Sequence, residues 1–200
     1  MRRAVILRRL AADREGATLP EFAMILPTFL LLLFGVFDIG QGIYAKAILQ
    51  GALQDAGRDS GLESGSSQLA AIDAHVKEQV GPIVGNAKFE VTRNNYQNFT
   101  DVGRPEDFTD ANNNDTYDEN ECFTDENDNA TWDEDVGKDG VGGANDVSYY
   151  TVTVTYDRVF PLWKLVNQGG QTTLSGSTTL RNQPFGKQSA RVAKNVCPAP

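Results

Sequence analysis

Histidine and cysteine are scarce in this chain, which has one histidine, His75, and two cysteines, Cys122 and Cys197. No nucleophile motif accompanies His75, so it reads as a surface or interface side chain rather than a general base. The cysteines lack CxxC spacing and metal partners, which argues against a transition-metal cluster, and no glycine loop of the phosphate-binding kind is present. Positive charge is sparse outside the first residues, and the formal net charge is −9. Without a Lys/Arg stripe to neutralise phosphates, nucleic-acid binding is not expected. The chain reads as a non-enzyme.

What is abundant is concentrated at the two places where charge and apolarity separate. Residues 1–16 hold Arg2, Arg3, Arg8, Arg9 and Arg14 against Asp13 and Glu15. An apolar run follows, uncharged from Phe22 to Phe37 and weakly polar out to Ile43 and Tyr44. A helix from about Pro20 to Tyr44 covers a hydrocarbon core of about 30 Å at about 1.5 Å per residue. Thr18 suits a cap, Pro20 the first turn, and Glu21 the positive end of the helix dipole. Pro27 should loosen the helix locally. Basic residues before the run place the amino terminus in the cytoplasm and the remainder across the membrane. A cleaved signal peptide is the competing reading, but the run is long, carries two prolines and lacks an A-x-A site. In an oxidising compartment Cys122 and Cys197 are expected to form one long-range disulfide, the alternative being two free thiols.

A carboxylate at the head of an apolar span is costly unless something pairs with it. The stretch "REGATLPEFAMILPTFLLLLFGVFDIGQGIY" resembles the type IV prepilin processing signature, with Gly16 closing a basic leader. Ala17 would be the first mature residue, Glu21 the fifth and Phe22 the sixth. More narrowly, residues 16–40 resemble TadE-like proteins, the minor pseudopilins of the tight-adherence (Tad, Flp-type) pilus system, with weaker likeness in "YYTVTVTYDRVFPLW" and "TTLRNQPF". The resemblance implies cleavage after Gly16 by a prepilin peptidase. It further implies that the new amine of Ala17 and Glu21 of an adjacent pilin or pseudopilin subunit neutralise one another, each being costly alone in a low dielectric. Pro20 directly before the glutamate departs from the major-pilin pattern.

Beyond the span, helical spacing of Ile48, Leu49, Ala52 and Ala56 predicts a continuation to about Arg58 with one face free to pack on later strands. A Gly/Ser break at 60–67 precedes a second helix, Gln68–Val80, stopped by Gly81-Pro82. Strands are expected at 87–93, at Val147–Arg158 and at Gln171–Arg181. Phe160 and Trp163, in the Val159–Leu165 link, are expected to cover the core rather than lie at the membrane surface. The fold class is therefore α+β: a long amino-terminal transmembrane helix continuing into a small periplasmic domain with an antiparallel sheet and an acidic loop insertion. The divisions are a leader at 1–16, a transmembrane helix at 17–45, and an extracytoplasmic domain at 46–200 with its insertion at 108–146.

That insertion contains an internal repeat, "FTDANNNDTYDENEC" at 108–122 and "FTDENDNATWDEDVG" at 123–137. Hard divalent cations take six to eight oxygens, and Asp/Asn at alternate positions can wrap one. The first block offers Asp110, Asn112, Asn114, the Thr116 carbonyl, Asp118 and Glu121 at positions one, three, five, seven, nine and twelve of an EF-hand-type loop. The second offers Asp125, Asn127, Asn129 and Asp133, but its twelfth position is Val136, so the bidentate ligand is lost unless Asp135 or Asp139 substitutes. The sixth position, normally glycine, is Asp115 in one block and Ala130 in the other. No room exists between the blocks for the helices of an EF-hand pair. Calcium is the candidate cofactor, and a solvated acidic loop is the alternative.

These readings describe an inner-membrane, single-pass minor pseudopilin-like component of Tad pilus assembly and surface adhesion. The rival is a membrane-anchored calcium-binding adhesion or sensor module that never enters a pilus.

Overall fold

The computed structural model describes residues 18–62, 67–160 and 170–197. Gly16, Ala17 and Trp163 lie outside the described residues. The chain divides into two compact units: one holds the chain up to Ile43 with Arg158–Gly170, the other holds Tyr44–Asp157 with Gln171–Pro200.

Helix α1, Thr18–Ser60, contributes to both units. Thr18 is already helical, so the helix begins no later than the residue expected to cap it. Pro27 lies inside it. In the first unit most of its large apolar side chains are exposed, Met24 at 82% and Ile25 at 65%, while Leu26, Leu30 and Phe34 are partly buried along one face. One polar tie stands out there: Asp38, buried within the helix, accepts from Arg158 Nη1 at 2.6 Å. One turn earlier, Phe34 stacks on Phe160 with ring centroids 4.8 Å apart. Phe160 thus packs on the apolar run of α1 and is absent from the core cluster it was expected to cover. Its neighbour Arg158 is held by the charge at Asp38, which keeps the ring beside the helix.

The second unit is a helix-on-sheet layer. Helix α2 runs Leu69–Val84 and is followed by β1, Lys88–Tyr96. Gly81-Pro82 does not stop α2. A proline in the last turn forfeits a single amide bond, and continuing the helix buries Val84 while Gly85, at φ 62°, closes the turn by donating to the Gly81 carbonyl at 3.0 Å. A short 3₁₀ turn occupies Phe99–Asp101. The remaining strands are β2 (Phe123–Asp125), β3 (Lys138–Asp139), β4 (Val147–Asp157), β5 (Gln171–Arg181) and β6 (Lys194–Val196). The main sheet has the order β3-β1-β4-β5 and is antiparallel at every pairing, with Val91 opposite Val152 and Val152 opposite Gly176. A second, two-stranded sheet joins β2 to β6.

The core follows the two periodicities. Ala45, Leu49, Ala52, Leu53 and Ala56 recur at helical spacing along α1, and Ile72, Val76, Val80 and Val84 do so along α2. Alternate residues of β4, Tyr150, Val152, Val154 and Tyr156, face them. Gly176 on β5 makes room for α1: a Cβ there would meet Leu53 Cδ1 at 2.6 Å. A polar clamp fixes α2 to the sheet. Asp73 accepts from the Tyr150 hydroxyl at 2.7 Å and pairs with Arg93, whose guanidinium lies 4.4 Å from the Tyr150 ring centroid. A smaller cluster of Tyr96, Val136 and Val147 lies at the other end of the sheet.

Candidate functional site: twin acidic loops and the apolar helix

The two acidic blocks fold into loops of the same form. In the first, Asp110 Oδ1 accepts the amides of Asn113 (2.6 Å) and Asn114 (3.2 Å), and Oδ2 accepts that of Asp115 (2.9 Å). In the second, Asp125 Oδ1 accepts from Asp128 (2.6 Å) and Asn129 (3.3 Å), and Oδ2 from Ala130 (2.8 Å). Asn114 and Asn129 each accept the amide two residues on, from Thr116 and Thr131. Within each loop the amides of positions three and five converge on the ninth carboxylate. Asn112 and Asn114 donate to Asp118 Oδ2 at 2.6 and 2.9 Å, and Asn127 and Asn129 to Asp133 Oδ2 at 2.7 and 2.6 Å. The sixth residues, Asp115 (φ 59°) and Ala130 (φ 60°), both take the left-handed conformation that glycine serves without cost. For Ala130 this costs roughly 1–2 kcal/mol, so the loop's other bonds hold it there.

At the twelfth position Glu121 closes the first loop, Oε1 accepting from Ala111 at 2.7 Å and Oε2 from Asp118 at 3.1 Å. In the second loop Val136 is buried in the small cluster with Tyr96 and Val147. Asp135 is turned away to the Tyr96 hydroxyl at 2.7 Å, and Asp139 lies in β3. Neither substitutes. The residue standing where Glu121 stands in the first loop is Glu106: Oε1 accepts from Glu126 at 2.8 Å and Oε2 from Asp133 at 3.3 Å. Glu106 was missed because the repeat was begun at Phe108. Started two residues earlier, "EDFTDANNNDTYD" aligns with "ECFTDENDNATWD" and Glu106 falls on Glu121.

The loops are related by a local two-fold arrangement. Phe108 and Phe123 form an antiparallel bridge, Thr109 donates to the Cys122 carbonyl at 2.8 Å, and Thr124 donates to that of Asp107 at 2.7 Å. The eighth residues, Tyr117 and Trp132, stack with centroids 4.6 Å apart. Phe108 meets both edge-on, and Phe123 meets Tyr117 in the same way. The pair therefore forms around an aromatic centre without flanking helices. Each repeat's glutamate closes the loop of the other.

The carboxylates divide into two groups by their neighbours. Glu126 takes two bonds from Arg104 Nη2, at 2.8 and 2.7 Å, and Asp128 is paired with Lys194 of β6. That pairing holds the Asp128 carboxyl below its ordinary range. Among the described residues, Glu106, Asp125 and Asp133 have no such ion pair. Glu106 is buried to 1% exposure, and burial pushes its carboxyl above the ordinary range, with Asp125 and Asp133 adding to the rise. The more open Asp110 is held low, chiefly by the Asp115 amide. Among the described residues no three His, Cys, Asp or Glu side chains make a cage by themselves. What each loop brings together is the ninth carboxylate and the NH₂ groups of the third and fifth residues. A disulfide joins Cys122 to Cys197, tying the junction of the two repeats to the residue after β6.

At the other candidate site, Glu21 occupies the first turn of α1 and is exposed, as is Phe22 beside it. Leu19–Ser60 is long and apolar enough to cross a membrane, and it is a candidate anchor.

A long apolar amino-terminal helix followed by a small antiparallel-sheet domain defines an α+β chain with a candidate single-helix anchor. Residues 16–58 match the family model described as TadE-like protein, and this part of the chain is similar to that family. The matched stretch contains Gly16, Ala17, Glu21 and Phe22 and ends within α1. No curated protein and no solved structure matches the chain.

Proposed function

We propose that this protein is a minor pseudopilin-like component of Tad pilus assembly, held in the inner membrane by α1, with its amino terminus cytoplasmic and its sheet domain periplasmic. The observation that carries the reading is the TadE-like match over 16–58, which spans the glycine, the glutamate and the apolar helix together. Its apolar side chains find little cover within the chain, as suits a surface meant for lipid or for neighbouring subunit helices. In this reading prepilin peptidase cuts after Gly16, and Glu21 neutralises the new amine of a neighbouring subunit. The role is in assembly and adhesion, without catalysis.

The test is the mature amino terminus, read by mass spectrometry on membrane-extracted protein co-expressed with its peptidase. A chain starting at Ala17, together with loss of piliation in Glu21→Ala, supports the assignment. An intact start with Glu21→Ala fully active refutes it. The twin loops favour one second reading, a membrane-anchored calcium-binding adhesion or sensor module. In that case deleting 108–137 abolishes function while Glu21→Ala is nearly silent.

A further inference from the structure

We infer that α1 does not enter the membrane alone: the start of the β4–β5 connection, Arg158 to Phe160, enters the periplasmic leaflet beside it and meets lipid there, with Arg158 neutralising Asp38 below the membrane surface. This rests on the reading that α1 spans the membrane with its amino terminus cytoplasmic.

Depth can be counted along the helix. From Glu21, at about 1.5 Å per residue, Phe34 lies about 20 Å and Asp38 about 25 Å along the axis, both inside a hydrocarbon core of about 30 Å. Exposed apolar side chains stand on either side of Asp38 in the chain, Phe37 before it and Ile39 and Ile43 after it. Asp38 therefore belongs within the apolar span and not at its end. Its own side chain is buried, and with Leu26, Leu30 and Phe34 it recurs every four residues along one covered stripe of the helix.

The connection descends along this stripe. Arg158 reaches Asp38 at 2.6 Å, and Phe160, two residues on, stacks on Phe34, one turn nearer the amino terminus of α1. The chain leaving β4 thus moves toward the membrane interior as its numbering rises. Its base is closed by the Arg158 amide, which donates to the Gly170 carbonyl at 2.8 Å. Val159, between the two contacts with α1, is 60% exposed. An apolar side chain projecting at this depth meets acyl chains, and its surface continues the lipid-facing surface of the helix. Charges are costly inside a membrane, and those found there turn away from lipid and pair with one another. Asp38 and Arg158 do both, and the aromatic stack beside them carries the connection past the pair into the apolar region.

The test is spin-label accessibility in the full chain, reconstituted into liposomes of phosphatidylethanolamine and phosphatidylglycerol. The two native cysteines are joined, so a nitroxide attaches only at an introduced one. Three exposed positions are compared: Met24→Cys in the span, Val159→Cys in the connection and Ser175→Cys on the sheet. Labels at 24 and 159 should collide with dissolved oxygen and lose contact with a polar nickel chelate, while the label at 175 should collide with the chelate. Chelate contact at 159 equal to that at 175, with 24 shielded, overturns the inference and leaves the anchor standing. Chelate contact at 24 overturns the anchor and the inference with it. A label at 159 shielded from oxygen and chelate alike is covered by protein instead of lipid, and also overturns it. Adding Arg158→Gln to Val159→Cys removes the counter-charge of Asp38, so chelate contact at 159 should rise, and Asp38→Asn in the same chain should restore the shielding. Unchanged accessibility in an Arg158→Gln chain with wild-type far-UV circular dichroism overturns the neutralising role of Arg158. If that chain does not fold, the comparison of 24, 159 and 175 decides the inference by itself.

Discussion

Asp73 is the residue through which α2 is tied to the sheet, and removing its carboxylate should be felt across the domain. Asp73→Ala leaves the Arg93 guanidinium without its anionic partner and the Tyr150 hydroxyl without its acceptor, at 2.7 Å in the wild type. Arg93 is poorly placed to compensate, because its Nε is already buried without a bond. Breaking a buried ion pair by deleting one partner costs about 3–5 kcal/mol. The Asp73 side chain is 21% exposed and that of Arg93 12%, so water screens part of this and about 2–3 kcal/mol remains. For a domain of this size that is about 4–12 °C in Tm. Near-UV circular dichroism melts of the full chain in detergent would follow the loss of tertiary packing without interference from α1. Tyr150→Phe, which removes the hydroxyl alone, should cost about 1 kcal/mol, and the double variant should cost less than the sum. An Asp73→Ala melting point within 2 °C of wild type would refute the clamp as a stabilising element.

Two further outcomes follow from buried groups and from the crosslink. Burial pushes the Tyr150 and Tyr96 hydroxyls upward, with the Asp73 and Asp135 bonds adding to it. An acid with a raised folded pKa contributes stability below its unfolded value of about 10 and loses it as pH climbs toward the folded value. Absorbance titration at 295 nm should therefore show these two tyrosines ionising after the others, with unfolding; a single transition near pH 10 (about the free tyrosine value) in folded protein would contradict this. The Cys122–Cys197 disulfide closes a separation of 75 residues. Chain entropy gives it about 4 kcal/mol, so a Cys122→Ser/Cys197→Ser variant should melt well below wild type, and equal melting points would show that β2–β6 pairing suffices without it.

How far the sequence carried the fold depends on whether the deciding contact was local. β4 and β5 alternate over eleven residues each, and the predicted ranges agree with the observed ones to within a residue. The α1 continuation was readable from Leu49 and Ala52, because a helix face repeats in sequence. Short strands were not readable. β2, β3 and β6 have two or three residues each and exist because the loops and the disulfide bring them together. Gly81-Pro82 misled because a local breaker was outweighed by burial of Val84. Phe160 misled because aromatic character does not say which apolar surface it meets. At the acidic loops the ligand pattern was legible within each block, whereas Glu106 lay one repeat away from the loop it closes, and nothing inside that loop pointed to it.

The reciprocal placement of Glu106 and Glu121 gives the twin loops the logic of a dimer written into one chain. With the repeats counted from Glu106 and Glu121, each half keeps its own turn residues and lends its carboxylate to the loop of the other. A chain shortened to one repeat would carry a lender and a borrower that do not fit each other, and would be completed only by the same segment of another molecule. Joining the two copies in tandem turns what would be a concentration-dependent encounter into an intramolecular certainty.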